Sequence, residues 1–269
     1  MSVNVRFVLV EPSHPGNIGA AARALRVMGW RDLALVRPLQ FPHADATAMA
    51  AGADDILASA RVCDTLTEAL ADCRIAFGTS ARHRSLGWPE CDARGAAARA
   101  AERGGDVAFV FGRERSGLSN AELDECQYML HIPTAADYGS INLAQAVQIV
   151  AYECRMIADA DPSPASSVPT AAPEESLPTH ADMQRFYAHL EETMIELGFL
   201  DPGNPRHLMR RLRRLFNRSN PSDNELSILR GILTAAQRPA PGSPAAQQRA
   251  GRSPGPGEHA TITKSDDQE

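Results

Sequence analysis

The chain has 269 residues, 43% of them hydrophobic and 22% charged, the make-up of a globular protein with one substantial core and a smaller appendage. No apolar run approaches the roughly 18 residues that span a bilayer, and the opening MSVNVRFVLVEP reads as a first strand with no signal peptide, so a cytoplasmic protein is expected. Five cysteines, widely spaced and never in a C-x-x-C arrangement, argue against a disulfide framework and against zinc, and they are expected to be reduced thiols that fill the core.

Short apolar runs alternate with helical stretches up to about residue 158, which is the pattern of βαβ units around a parallel sheet in an α/β domain. Strands are predicted at 5–10, 33–37, 74–78, 107–111 and 128–132. Asn17 is placed to cap the first helix and Gly29 to end it, while Ser119 and Glu122 have the spacing of a capping box. A helix over 141–157 carries Leu143, Val147, Val150 and Cys154 on one stripe for burial against the sheet. Residues 159–180, rich in Pro, Ser and Ala, read as a linker between a first domain, 1–158, and a small all-α extension, 181–237. That extension is expected to hold helices at about 181–198, 205–217 and 222–237, and the stretch 238–269 is expected to be a disordered tail.

The net charge of −6 speaks against a nucleic-acid partner until its distribution is read. Residues 161–203 hold one arginine against eight acidic residues, whereas NPRHLMRRLRRLFNR (204–218) holds six arginines and no acid. Clustering of this kind says more than the total. A helix from about 206 would carry Arg206, Arg210, Arg213 and Arg214 on overlapping turns, with Arg211 beside them, and pack through Leu208, Leu212, Leu215 and Phe216.

In an open α/β sheet, ligands bind beyond the C-terminal ends of the strands. The loops there are EPSHPGNIGAAAR, TSARHR, GRERSGLSN and PTAADYGSINLAQA; three mix glycine with hydroxyl, amide or arginine side chains, and TSARHR carries hydroxyl and arginine side chains without glycine. Taken singly each is ordinary turn chemistry: G-N-I-G is not a dinucleotide fingerprint, and GRERSG lacks the Lys-Ser/Thr of a phosphate loop. In combination, HPGNIGAAAR, FVFGRERSGLSNAEL and IPTAADYGSINLAQAVQIVAYE resemble the three ordered motifs of the SpoU branch (SPOUT superfamily) of RNA 2'-O-ribose methyltransferases, over about residues 4–158. The segment LGFLDPGNPRHLMRRLRRLFNRSNPSDNELSILRGIL further resembles the extension of bacterial enzymes that methylate the ribose of nucleotide 32 in tRNA. One departure is Gly139, where serine is frequent in the family.

The resemblance implies a parallel sheet closed by a C-terminal trefoil knot, a homodimer, and methyl transfer from S-adenosylmethionine to a ribose 2'-hydroxyl of tRNA without metal or membrane. Topology alone argues against a knot, since knots are so rare. By the same resemblance, Thr79, Ser80, Ala81, Gly112, Ile132, Gly139, Ser140 and Ile141 bind S-adenosylmethionine, and Arg23, Asn17, Glu114, Ser140 and Asn142 form the catalytic set. As bare residues, Ile132 reads as core, Arg23 as a surface charge, Asn17 as a helix cap and Glu114 as a solvated loop acid. A guanidinium does not give up its proton in proteins, so Arg23 is assigned to a phosphate beside the target ribose and to developing alkoxide charge. Arg82, Arg84, Arg113 and Arg115 are expected to supply phosphate contacts from at least two of their number, alongside Arg206, Arg210, Arg211, Arg213 and Arg214. The same motifs suit methylation of ribosomal RNA, or a catalytically silent RNA-binding protein of the same fold; intact Asn17, Arg23, Glu114, Ser140 and Asn142 argue against silence.

Overall fold

The computed structural model describes residues 4–81, 89–159 and 176–238. Its central layer is a parallel sheet of β1 (Asn4–Val10), β2 (Asp32–Val36), β3 (Arg61–Cys63), β4 (Ile75–Thr79), β5 (Glu90–Cys91), β6 (Asp106–Phe111) and β7 (Tyr128–Leu130), in the order β3-β2-β1-β6-β4-β7-β5. The inner strands are apolar on both faces, as a sheet covered on both sides requires. Phe7 and Leu9 of β1, Phe77 of β4 and Phe109 of β6 enter one core, while Val8, Val10, Ala76 and Ala108 enter the other. Phe109 bridges the first core, 5.1 Å from Phe77 and 5.8 Å from Phe7 between ring centroids.

On the phenylalanine face lie α1 (Pro15–Val27), α2 (Ala44–Ala50), α3 (Asp54–Ser59), α5 (Ala93–Arg103) and α7 (Leu143–Asp159); α4 (Leu66–Leu70) and α6 (Asn120–Asp124) cover the valine face. The alanine content of α1 is explained by how close its neighbours come. A Cβ on Gly19 would stand 2.0 Å from the carbonyl oxygen of Ala46 in α2, so backbone meets backbone at that crossing.

Two short strands, β3 and β5, were outside the sequence expectation, because three and two residues are too few to show a period. Strand β7 stops at Leu130, short of 132. The expected Asn17 cap is corrected. Pro15 occupies the first turn of α1 and His14 the N-cap position, because the fixed φ of proline starts the helix there. Asn17 lies inside the first turn with its amide available elsewhere. The capping box of Ser119 and Glu122 is present, and Gly29 follows α1 at φ +79°. All five cysteines are free, and burial pushes the thiols of Cys73 and Cys154 up to about 12, which keeps them neutral.

Three more helices follow: α8 (His180–Glu196), α9 (Leu208–Ser219) and α10 (Asp223–Ala236). They share a small core of Met183, Phe186, Tyr187 and Leu226, with Phe216 meeting Phe186 edge-on at 4.8 Å. This unit is tied to the sheet layers. Arg210 pairs with Asp124 at 2.5 Å, Asn217 donates to the carbonyl of Asp124, and the N–H groups of His180 and Ala181 donate to the carbonyls of Cys73 and Ala71. Helix α9 begins two residues after Arg206, which stands at φ +47°, so Arg206 is not on the helix as expected. Leu215, expected to pack, is exposed, and Met209 takes the inward place with Phe216. The expected tail beyond Arg238 and residues 160–175 of the expected linker lie outside the described residues. Among the described residues no helix is long and apolar enough to cross a membrane.

Gly19→Ala is expected to force α1 from α2 and lower stability by about 1–3 kcal/mol, the scale of overpacking a close contact. Urea unfolding of the full chain measures it, and an unchanged midpoint would contradict the backbone contact.

Candidate active site

At the C-terminal edge of the sheet the loops after β4, β6 and β7 surround a cavity of about 420 Å³, within the range of small-molecule sites. Each loop is held there by local geometry. The N–H of Ser80 donates to the carbonyl of Leu130 at 2.9 Å, which keeps Thr79, Ser80 and Ala81 alongside the end of β7. After β6 the chain folds back on itself, with Arg113 bridged to Gly117. That return needs glycine at 112, because a Cβ would lie 2.2 Å from the backbone carbon of Gly117. From the third loop Gly139, Ser140 and Ile141 reach the same cavity, and Ile132 forms an apolar wall with Leu118. All eight residues expected to hold the cofactor therefore line one space. A Cβ at Gly139 would meet only the Thr134 hydroxyl, at 3.4 Å, so the exchange of serine for glycine there changes little.

Beside the cavity runs a chain of hydrogen bonds that joins the three motifs. Glu114 lines the cavity, and its carboxylate accepts from the backbone N–H of Ser13 (3.1 Å) and His14 (3.2 Å), from the Ser13 hydroxyl (2.9 Å) and from Asn17 Nδ2 (3.1 Å). Asn17 Oδ1 accepts from Asn142 Nδ2 at 2.9 Å, and Asn142 Oδ1 accepts from the N–H of Ala144 and Gln145 at the start of α7. Each amide has its orientation set by the next partner. Burial works to raise the pKa of Glu114, but the donors from Asn17, Ser13 and His14 outweigh it and bring the carboxyl down to about 2. Four of the five expected catalytic residues, Asn17, Glu114, Ser140 and Asn142, are thus gathered at this edge.

Arg23 is not among the residues lining the cavity. It is exposed on α1 and, among the described residues, makes no hydrogen bond or ion pair. Arg113, expected on phosphate, has its guanidinium engaged: Nε donates to Glu11 at 2.6 Å and the fork donates to Glu122 at 2.9 and 3.0 Å. The Arg113 hydrogen bond is the main cause that lowers Glu11 to about 2, against its burial and with help from Arg37. Arg113 fixes the β6 loop against the end of β1. Arg115 is exposed at the cavity rim, and Arg82 and Arg84 lie outside the described residues.

On α9, Arg210 pairs with Asp124, and Arg213 donates to Gln184 at 2.8 Å with its guanidinium 4.5 Å from the centre of the Tyr187 ring. Arg211 is exposed, and Arg214 is half-buried. Sequence reasoning missed Ser13 and Glu11 as partners of the site, since nothing in spacing links residues about a hundred positions apart, and it placed Glu122 only in the capping box and missed its pairing with Arg113. Among the described residues no cluster of His, Cys, Asp or Glu is arranged to hold a metal ion.

A profile of the SpoU rRNA Methylase family matches residues 4–152, and one for the tRNA methyltransferase TrmJ, C-terminal domain, matches residues 181–245. The chain is 51% identical over 245 residues to the tRNA (cytidine/uridine/adenosine-2'-O-)-methyltransferase TrmJ of Pseudomonas aeruginosa, covering 88% of this chain and 95% of that one. It is 47% identical over 241 residues to the tRNA (cytidine/uridine-2'-O-)-methyltransferase TrmJ of Klebsiella pneumoniae, covering 88% and 98%. Among solved structures it superposes on TrmJ from Z. mobilis ZM4 with a TM-score of 0.76 and 31% identity, over 87% of this chain and 99% of that one.

Since the folded state holds Glu114 at about 2, below its usual 4.5, ionised Glu114 stabilises the fold above about pH 4.5, and that contribution fades as the pH falls toward 2. Glu114→Gln is expected to lower stability at pH 7 by about 2 kcal/mol, the scale of hydrogen bonds to a charged group. The gap to wild type should narrow at pH 3. Urea unfolding at the two pH values tests this, and an equal gap at both would contradict the ionised acceptor.

Proposed function

Because the chain belongs to the SpoU rRNA Methylase family, we propose that it transfers a methyl group from S-adenosylmethionine to a ribose 2'-hydroxyl of tRNA, at nucleotide 32 of the anticodon loop. The observation that carries this reading is the single cavity formed by the three loops beside the Glu114–Asn17–Asn142 chain. The names of the similar TrmJ proteins, each a tRNA 2'-O-methyltransferase, support tRNA as the substrate.

The residues fit the methyl donor. Ile132, Leu118 and Ile141 offer apolar contact for a flat heterocycle, and the backbone at 79–81, 112 and 139–141 offers donors and acceptors at its edges. When bound, the donor supplies an electrophilic methyl group, so the protein's task is placement and charge. Asn17 and Asn142, locked by Glu114 and by the start of α7, hold the edge of the site where a ribose must enter. Ser140 stands on the same loop as the donor's contacts. Arg23 grips the phosphate beside the target ribose and stabilises alkoxide charge as it develops, while the hydroxyl proton leaves to a phosphate oxygen or water. Arg115 at the rim, Arg206 ahead of α9, and Arg211 and Arg214 on α9 are assigned to RNA phosphates. Arg113, Arg210 and Arg213 act on the protein's own side chains.

Two finer features belong to this reading. The segment from β7 to α7 is assigned to a trefoil knot; its support is the family and the adjacency of β4, β6 and β7, whose loops border one cavity. The protein is assigned as a homodimer, built on Ile149, Tyr152 and Met156, an exposed apolar stripe on α7, with Val27 exposed on α1, the helix that packs against α7. In that dimer Arg23 of each copy serves the cavity of the other, which accounts for its absence from the lining of its own. Free thiols and a tRNA substrate suit a cytoplasmic enzyme.

With labelled S-adenosylmethionine, the full chain is expected to label total tRNA and leave ribosomal RNA blank; label confined to ribosomal RNA would overturn the substrate. Arg23→Ala should keep S-adenosylmethionine affinity and lower turnover about a hundredfold, the scale of one lost preorganised charge contact. Near-normal turnover would remove Arg23 from the mechanism. Light scattering should give about twice the 28.9 kDa chain mass, and Tyr152→Asp should shift it toward monomer with loss of activity. A wild type that is fully active as a monomer contradicts the shared site.

A further inference from the structure

The arginines of α9 point to two places. Arg210 and Arg213 turn inward to Asp124, Gln184 and Tyr187. Arg211, Arg214 and Arg218, spaced three and four apart, share one side of the helix, and all three line a second cavity of about 280 Å³. Its opposite wall belongs to the sheet layers: Pro89 ahead of β5, and Cys126 and Gln127 between α6 and β7. The cavity therefore lies on the seam between the C-terminal helices and the sheet.

Its lining has the chemistry of an anion site. Among the described residues it carries three arginines and no acid. The field of nearby Asp124 reaches Arg213 and Arg214, but its carboxylate is paired with Arg210. Burial pushes the Cys126 thiol well above its ordinary value, so it stays neutral. Gln127 is buried, and its oxygen accepts from the N–H of Ala76 at 2.8 Å. That bond fixes the amide and leaves its Nε2 donor without a protein partner among the described residues. Like charges on neighbouring turns repel, and a shared counter-anion removes the repulsion.

We infer that this seam cavity is a phosphate subsite, in which the guanidinium groups of Arg211, Arg214 and Arg218, with the Gln127 amide, take one phosphodiester of the RNA backbone. Guanidinium forks match phosphate geometry, and a phosphate held here ties the RNA to both parts of the chain at once. The inference rests on the RNA-methylating function proposed above. It goes further in assigning the contact to one cavity, where α9 as a whole would give only diffuse positive charge.

The test compares wild type with R211Q/R214Q/R218Q and with the charge-matched R103Q/R230Q/R238Q, whose arginines are exposed and line neither cavity. The cavity variant is expected to keep its affinity for S-adenosylmethionine. Its Kd for tRNA should rise about ten- to a hundredfold and its log–log salt slope should fall by about one to two units, with the control shifting far less. Inorganic phosphate replacing chloride at constant ionic strength should weaken tRNA binding by wild type and leave the cavity variant unaffected. Equal losses in both variants would mean diffuse charge and overturn the subsite. Calorimetric binding of inorganic phosphate that the cavity variant loses while its tRNA affinity stays at the wild-type level would make the occupant free phosphate, and would also overturn it. A wild type that binds no tRNA would instead remove the functional reading beneath it. If the triple variant fails to fold, R218Q alone, at an exposed position, should still raise Kd about threefold, and an unchanged Kd would count against the site.

Discussion

The Glu114 carboxylate organises the functional edge of this protein. It accepts from two backbone N–H groups, a hydroxyl and an amide, all from the loop and first turn that follow β1. A half-buried acid kept ionised in this way draws its donors to fixed places, and through Asn17 and Asn142 the order extends to the start of α7. The β1, β6 and β7 loops, more than a hundred residues apart in sequence at their extremes, thereby become one rigid rim. A catalytic edge for methyl transfer needs that rigidity, because its contribution is placement of two reactants.

The same logic governs the arginines. A guanidinium with fixed partners serves as a brace, and one without them is available to a ligand. Arg113 braces the β6 loop between Glu11 and Glu122. Arg210 and Arg213 brace the C-terminal helices against Asp124, Gln184 and Tyr187. Arg23 and Arg115 remain exposed. A chain with a net charge of −6 can in this way still present unengaged cations to a polyanion, because local placement of charge counts for more than the total.

Much of the sheet was legible from residue pattern. VAFVF, and VRFVLV apart from Arg6, are apolar at every second and every intervening position, as a sheet covered on both faces requires. The capping box at Ser119 and the glycine after α1 were likewise local signals with local causes. Arg6 was not: in a strand that reads as apolar it is buried and pairs with Asp32 and Asp72, a partnership that no spacing announces. The cofactor-side residues were named through motif resemblance, because Gly112 or Ile132 alone looks like any turn or strand end.

The sequence by itself determined the parallel α/β core, the order of its main elements and the identity of the motif residues, because alternation, caps and glycine positions act over a few residues. Only the tertiary structure decided what each polar side chain does. It moved Asn17 from the expected cap to the link between Glu114 and Asn142, and it divided the α9 arginines between protein and cavity. The physical reason is that a charged or amide group takes its role from the partner that desolvates with it, and that partner is chosen by the folding of distant segments against one another.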